Sequence, residues 1–242
     1  MRGGTIRRFF VNMICGVIPN KDKRKKARVV MNSNMVGYLR FIHKNIDAPI
    51  TKIKTFVGYQ ARNLIIGVNN KWVFKFPLRR DDSNELALRE KRIVDALAPF
   101  SPVAIPGVEI YKYRGHIVRR YEYIHGSTLR GLPAHAVMQH IDKLASQVAR
   151  FMYDIALTDP DEIRDLKPAP DMRPGYMCGW CQGDICDNFM VNPDTMDVIA
   201  FIDWEDAKFF DFSHLFHVEK RSPAREFMLA VEREYKKLYG KK

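Results

Sequence analysis

Lys75 stands between Phe74 and Phe76 in a strand-like run. An ammonium there must reach solvent or meet an anion, because burying an unpaired charge is costly. Glu90 follows in a helical segment, and a Lys75–Glu90 pair could aim the amine at phosphate oxygens; the alternative is a lysine that faces water on an edge strand. Asn188 and Asp203 end two strand-like runs joined by the turn Asn192-Pro193-Asp194, so their side chains can converge. An amide oxygen and a carboxylate suit a hard ion such as magnesium, which itself carries nucleotide phosphates. Asp184 precedes them by one short loop, placed to accept a proton from an incoming hydroxyl. Taken alone, each acidic residue fits an ordinary turn or a solvated face better than a catalytic role. Paired-carboxylate glycoside chemistry is disfavoured, since it leaves Lys75 and Asn188 without a task.

These side chains need elements to hold them. Met35, Tyr38, Leu39 and Ile42 recur at helical spacing and predict a helix over 30–46, stopped by Pro49. The period then changes to that of strands at 50–57, 63–68 and 72–76, with turn chemistry at Gly58-Tyr59-Gln60 and Val68-Asn69-Asn70-Lys71. NELALREKRIVDALA, residues 84–98, predicts a helix carrying Glu90. A hairpin turned at Arg114-Gly115 follows, its second strand ending near Tyr123. Beyond His125-Gly126 the pattern predicts a long helix over 134–156 and a proline-rich loop from Pro168 to Pro174. Strands at 188–192 and 198–202 and a helical tail from Pro223 to Tyr239 complete it. This order suggests two lobes joined near 121–126: a small antiparallel sheet with one helix, then a compact, mainly helical part, α+β overall.

At 242 residues, 46 % apolar and 28 % charged, the chain can bury a sizeable core and is not a disordered one. The net charge of +12 is concentrated at one end: eleven Lys/Arg fall in residues 1–47, against Asp22 and Asp47 alone. The apolar run Phe9–Ile18 is too short to span a bilayer, which takes roughly 20 residues. It fits a segment lying at an anionic membrane surface through residues 1–28, with Lys21–Arg28 toward the headgroups. The alternatives are packing on the protein's own body and contact with nucleic acid, and the rest of the chain lacks the aromatic and basic interleaving that favours the last. Cys178, Cys181 and Cys186 read as buried thiols, as does Cys15, because no second Cys-x-x-C pair completes a metal site.

Taken in order, WVFKFP with Lys75, LREKRIVDAL with Glu90, SPVAIP at 101–106, YEYIHGSTL at 121–129, QGDICDN at 182–188 and VIAFIDWEDA at 198–207 resemble the aminoglycoside phosphotransferase and choline kinase group of protein-kinase-like enzymes. The resemblance runs from about residue 50 to about 220. It implies a two-lobed protein-kinase-like fold, with residues 1–47 a basic leader and helix, 48–124 a nucleotide-binding lobe and 125–242 a catalytic lobe. It further implies ATP and magnesium as cofactors. Lys75 would contact the nucleotide phosphates and be held by Glu90, Asp184 would be the catalytic base, and Asn188 and Asp203 would bind the metal. Gly58 to Asn63, with Gln60, would cover the phosphates. Tyr121, Glu122 and Tyr123 would be the hinge that receives adenine, and Asp211 would steady a loop.

Three positions depart from that pattern. Gln182 replaces the usual histidine, Asp184 and Asn188 are four apart where the family has five, with Asp187 adjacent, and residues 58–63 hold one glycine, so Gln60 and Arg62 could grip phosphate instead. The expected reaction is phosphoryl transfer to a hydroxyl of a small molecule or a cell-surface glycan, by a cytoplasmic protein peripheral at the inner face of the membrane. The basic, apolar leader resembles those of small bacterial enzymes of lipopolysaccharide assembly. A protein kinase with a minimal second lobe, and an inactive nucleotide-binding scaffold, are the competing readings. Arg130, His125, Asp142, Arg164 and Asp171 could line the acceptor or be plain surface residues.

Overall fold

A computed structural model of the chain describes residues 11, 13, 15–78, 83–167, 177–183, 185–218 and 224–240. Asp184, Asp171 and the proline-rich loop from Pro168 to Pro174 lie outside the described residues. The chain forms two units: residues 1–87 with Glu109–Tyr123, and Leu88–Val108 with residues 124–242.

The first unit begins with two helices, α1 (Lys21–Asn32) and α2 (Met35–Lys44), where sequence periodicity predicts one over 30–46. The break is local chemistry. Ser33 turns its hydroxyl back to the Val30 carbonyl at 2.6 Å, and the Asn34 side chain accepts the Gly37 amide at 3.2 Å, so both residues favour caps over helix interior. Asn20 caps α1 in the same way, through the Lys23 amide. Val11 and Cys15 are buried while Met13 and Val17 are exposed, so the leader packs one side on this unit.

Strands β1 (Ile53–Val57), β2 (Asn63–Val68) and β3 (Trp72–Pro77) follow, then β4 (Glu109–Tyr113) and β5 (His116–Glu122), in an antiparallel sheet of order β1-β2-β3-β5-β4. Asn69 and Asn70, at φ 54° and 51°, make the β2–β3 turn, and Arg114-Gly115 makes the β4–β5 turn. Leu64, Ile66, Val68, Phe74, Phe76 and Val118 pack with Ile42 and Ile46 from the α2 side. Strand alternation then turns Ile65, Lys75 and Arg119, which are opposite one another in register, to the other face.

Helix α3 (Ser83–Leu97) runs from one unit into the other. The second unit contains β6 (Ser127–Thr128), α4 (Ala134–Gln139), α5 (Ile141–Ala156), β7 (Cys178–Cys181), β8 (Phe189–Asn192), β9 (Asp197–Phe201), β10 (Lys208–Asp211), α6 (Ser213–Val218) and α7 (Ala224–Tyr239). The helix expected over 134–156 is divided at His140, which leaves helical geometry at φ −114°, ψ 17°. The β7–β10 pair is not legible in the sequence, because all four residues of β7 are buried and show no alternation. Gly179 makes that pairing compatible with α5: a Cβ there would lie 2.6 Å from the Phe212 ring and 3.1 Å from the Ala156 Cα. No helix among the described residues is long and apolar enough to cross a membrane.

Helix α5 buries Leu144, Val148, Phe151, Met152 and Ile155, with Phe151 stacked on Phe201 of β9 at 3.5 Å. Its polar edge grips the start of β9. Gln147 donates to Asp197 at 2.8 Å and accepts the Val198 amide at 2.7 Å, and Lys143 lies 2.8 Å from the same carboxylate. Lys143, then Thr195 and Gln147, hold the Asp197 carboxyl well below the ordinary carboxylate range. A depressed native pKa adds stability above the unfolded value, about 3.9, and that stability is lost as pH falls below it. Urea midpoints should therefore fall more steeply for the native protein than for Asp197→Asn between about pH 5 and pH 2.5. Parallel curves would show that the contacts do not hold this hairpin.

Candidate functional site

In the first unit, Lys75 and Arg119 are 5 % and 1 % exposed and face each other across β3 and β5. Like charges directly opposite in a sheet are destabilising, so both side chains depend on compensating partners on this face. Arg119 also donates to the Asn63 side chain at 3.3 Å, which ties it to the start of β2. Sequence reading missed Arg119, although it lies in phase with buried Ile117 on β5.

The loop from Gly58 to Asn63 is a short 3-10 turn rather than a glycine-rich arch. Gln60 and Ala61 take φ values of 50° and 56°, the Ala61 amide donates to the Gly58 carbonyl, and the Gly58 amide donates to Asn63. Tyr121 and Glu122 pair with Val73 and Trp72 in the sheet. Just beyond, the Tyr123 amide donates to the Lys71 carbonyl at 3.0 Å, and the Tyr123 hydroxyl accepts from Lys54 at 3.1 Å.

In the second unit Phe189 pairs with Phe201, and the Ile202 amide donates to the Asn188 carbonyl at 2.8 Å. Asn188 and Asp203 thus flank one end of the β8–β9 hairpin. Asp203 has φ 61° and turns the chain there, leaving its side chain exposed. Just upstream, Gln182 is 3 % exposed; its oxygen accepts from the Cys181 thiol, and its amide nitrogen has no hydrogen-bond partner among the described residues. Asp187 meets Arg130 at 2.5 Å, so Arg130, unlike Arg164 and Asp142, is brought to this loop. Arg164 pairs with Asp161 and Asp142 with Arg233. Glu90 is 1 % exposed on α3. Asp211 accepts the Ser213 amide at 2.8 Å and so steadies the start of α6. All four cysteines are free and buried. Among the described residues no group of three or more His, Cys, Asp or Glu could hold a metal ion.

Arg89 is a second residue that sequence periodicity leaves on a polar helix face. From the part of α3 in this unit it donates to the Glu205 carbonyl at 3.4 Å and to the Ala207 carbonyl, bracing the turn that follows Asp203. Burial lowers its pKa, with Asp206 acting the other way.

No family model matches the chain, and no curated protein matches it. Solved structures do. The GDP complex of aminoglycoside 2'-phosphotransferase-IIIa aligns at TM-score 0.68 and 20 % identity, over 84 % of this chain and 83 % of that one. The chain has the aminoglycoside-phosphotransferase fold. The streptomycin–ATP ternary complex of APH(2")-IIa aligns at TM-score 0.61 and 14 % identity, over 84 % of each chain. Choline kinase LicA from Streptococcus pneumoniae aligns at 0.50 and 15 %, over 84 % of this chain and 80 % of that one. The fold implied by the ordered motifs is therefore the fold observed: two lobes, α+β, with a small antiparallel sheet in the first and a mainly helical second.

Hydrogen bonds from a charged donor contribute about 1.5–3 kcal/mol. Arg89→Met should accordingly speed amide exchange in 203–207 by roughly tenfold or more, read by hydrogen-exchange mass spectrometry. Unchanged exchange in that segment would remove Arg89 from its support.

Proposed function

We propose that the chain is an ATP- and magnesium-dependent phosphotransferase that moves the γ-phosphoryl group onto a hydroxyl of a small molecule or a cell-surface glycan. One observation carries the reading: Lys75, buried on the sheet face opposite the aromatic core and directly across from buried Arg119, in a fold shared with enzymes solved with GDP and ATP.

In this reading Lys75 meets the α and β phosphates, with Glu90 as its carboxylate partner, and Gly58 and Gln60 lie over the phosphates. The segment Tyr121–Glu122–Tyr123 receives the base. Because the Tyr123 amide is already given to Lys71, other polar groups of that segment hold the base. Asn188 and Asp203 offer an amide oxygen and an exposed carboxylate from one end of a hairpin, a donor set that fits magnesium. The ion, when bound, would neutralise phosphate charge. Asp184 takes the proton from the acceptor hydroxyl as its oxygen bonds to the γ phosphorus and the bond to the bridging β–γ oxygen breaks, leaving ADP. With Arg130 on Asp187, Asn188 is the better metal ligand of the two neighbours.

The acceptor reading draws on the leader. Lys21, Lys23, Lys25 and Lys26 are exposed on α1, a helix with no buried residue, and Met13 and Val17 nearby are 55 % and 80 % exposed. Each lysine close to an anionic surface contributes about 1 kcal/mol, enough together to hold the protein against a membrane that presents a glycan.

With γ-labelled ATP or GTP and a panel of aminoglycosides, choline, sugars, lipopolysaccharide fractions and proteins, label should pass to one acceptor class. Asp184→Asn and Lys75→Met should each lower transfer by about 100-fold or more, while Asp187→Asn stays near the native rate. Transfer that survives both substitutions would defeat the reading, and label on protein alone would replace the acceptor with a polypeptide.

Replacing the four α1 lysines by glutamate should abolish co-sedimentation with phosphatidylserine vesicles and leave transfer to a soluble acceptor unchanged. Vesicle binding that persists in this variant would refute the membrane role.

A further inference from the structure

The Arg119 guanidinium bridges two strands that are not neighbours in the sheet. Strand β3 lies between β5, which carries Arg119, and β2, which begins at Asn63. With strands about 4.8 Å apart, the 3.3 Å bond from the guanidinium to the Asn63 side chain joins positions two strand spacings apart and passes over β3. Lys75 is the β3 residue opposite Arg119, and Ile65, opposite Lys75, shares a face with Asn63 two residues earlier. The bond therefore runs diagonally across the face that carries Lys75. Both of its ends are shielded from water, Arg119 being 1 % and Asn63 5 % exposed.

Asn63 has a second task. Val57 pairs with Leu64, so Gly58 faces Asn63 next in register, and the Gly58 amide donates to the Asn63 carbonyl at 3.0 Å. At that bond the loop between β1 and β2 leaves the sheet and returns to it. Inside the loop Gln60 and Ala61 hold left-handed φ values of 50° and 56°, a conformation that side chains oppose and that persists only where the surroundings impose it. With no glycine at either position, the loop depends on its base. The Asn63 backbone closes that base, and the Asn63 side chain is held by Arg119. A charged donor makes this bond stronger than one between neutral groups.

We propose that Arg119 is a positioning residue for nucleotide binding: through Asn63 it holds the loop 58–63 closed over the phosphates, beside Lys75. This rests on the phosphotransfer reading, in which that loop covers the phosphates and Lys75 meets them. The clamp acts on the phosphate end alone. Asn63 is opposite Pro77, whereas Tyr121, in the segment that receives the base, is opposite Val73. Four residues of β3 separate the two ends, about 13 Å of strand, so loosening the clamp weakens the grip on phosphate and leaves the base seat in place.

Hydrogen-exchange mass spectrometry of the nucleotide-free protein, together with binding of ATP, ADP and adenosine read by calorimetry and ligand-observed NMR, provides the test; the guanine series replaces the adenine one if the native protein prefers GTP. In Asn63→Ala, with folding checked by circular dichroism, amides of residues 58–62 should exchange about tenfold faster. ATP and ADP should bind about tenfold more weakly, and adenosine as it does to the native protein. Arg119→Lys keeps the charge but loses the planar fork, and should repeat the Asn63→Ala result in both measurements. Native exchange rates in the folded variants, native ADP affinity despite faster exchange, equal losses for ADP and adenosine, or full rescue by lysine would each overturn the proposal while leaving the phosphotransfer reading intact. A native protein that binds neither ATP nor GTP would overturn both.

Discussion

A lysine whose two strand neighbours are buried phenylalanines has one way out of the core, and the first unit is arranged around that exit. Burying Phe74 and Phe76 against the helices contributes about 1.5–3 kcal/mol apiece. A register slip of one residue would put the ammonium into that cluster and both rings on the opposite face. The apolar layer of Ile42, Leu64, Ile66, Val68 and Val118 thus fixes the direction of Lys75 as firmly as any contact Lys75 itself makes. Arg119 follows from the same constraint, because its neighbour Val118 belongs to the apolar face and Arg119 must lie opposite Lys75.

The second unit uses a hairpin to the same end. The Phe151–Phe201 stack and the Gln147 bonds to β9 lock the strand pair against α5, and the residues just past that pair, Asn188 and Asp203, inherit the position. Asp203 takes a left-handed backbone there, a conformation a non-glycine residue adopts at a cost. The bonds from Arg89 to the carbonyls of Glu205 and Ala207, and the burial of Trp204, offset it.

The loop shortened between Asp184 and Asn188 also has a structural counterpart. Residues 185–187 form a single 3-10 turn, Asn188 bonds back to Ile185, and Asp187 is drawn toward Arg130. A loop one residue shorter therefore still delivers Asn188 to the hairpin, and the adjacent carboxylate is directed elsewhere. In the segment 58–63 two left-handed non-glycine residues, Gln60 and Ala61, close the turn.

Much of this was legible in the sequence. Period-two alternation placed β1 to β5 and turned Lys75 away from the core, Asn-Asn and Arg-Gly marked the hairpin turns, and the ordered motifs implied the two-lobed α+β fold. These signals are local, carried by spacing and by the conformational preferences of single residues. The sequence pattern missed the break at Ser33-Asn34, because apolar spacing continues across it while side-chain capping decides the geometry. It missed β7, because a strand buried on both faces has no alternation to detect, and it missed β10, the four-residue strand that pairs with it. The partners Arg119–Asn63, Arg130–Asp187 and Arg89–Ala207 are far apart in the chain, and a polar residue on a helix or strand reads as solvated until folding supplies its acceptor. By itself, then, the sequence determined most of the elements, the buried face of the first sheet and the order of the motifs that implied the fold. Only tertiary structure decided which distant charges meet, because a pairing between chain-remote side chains exists only once the packed core has fixed their positions.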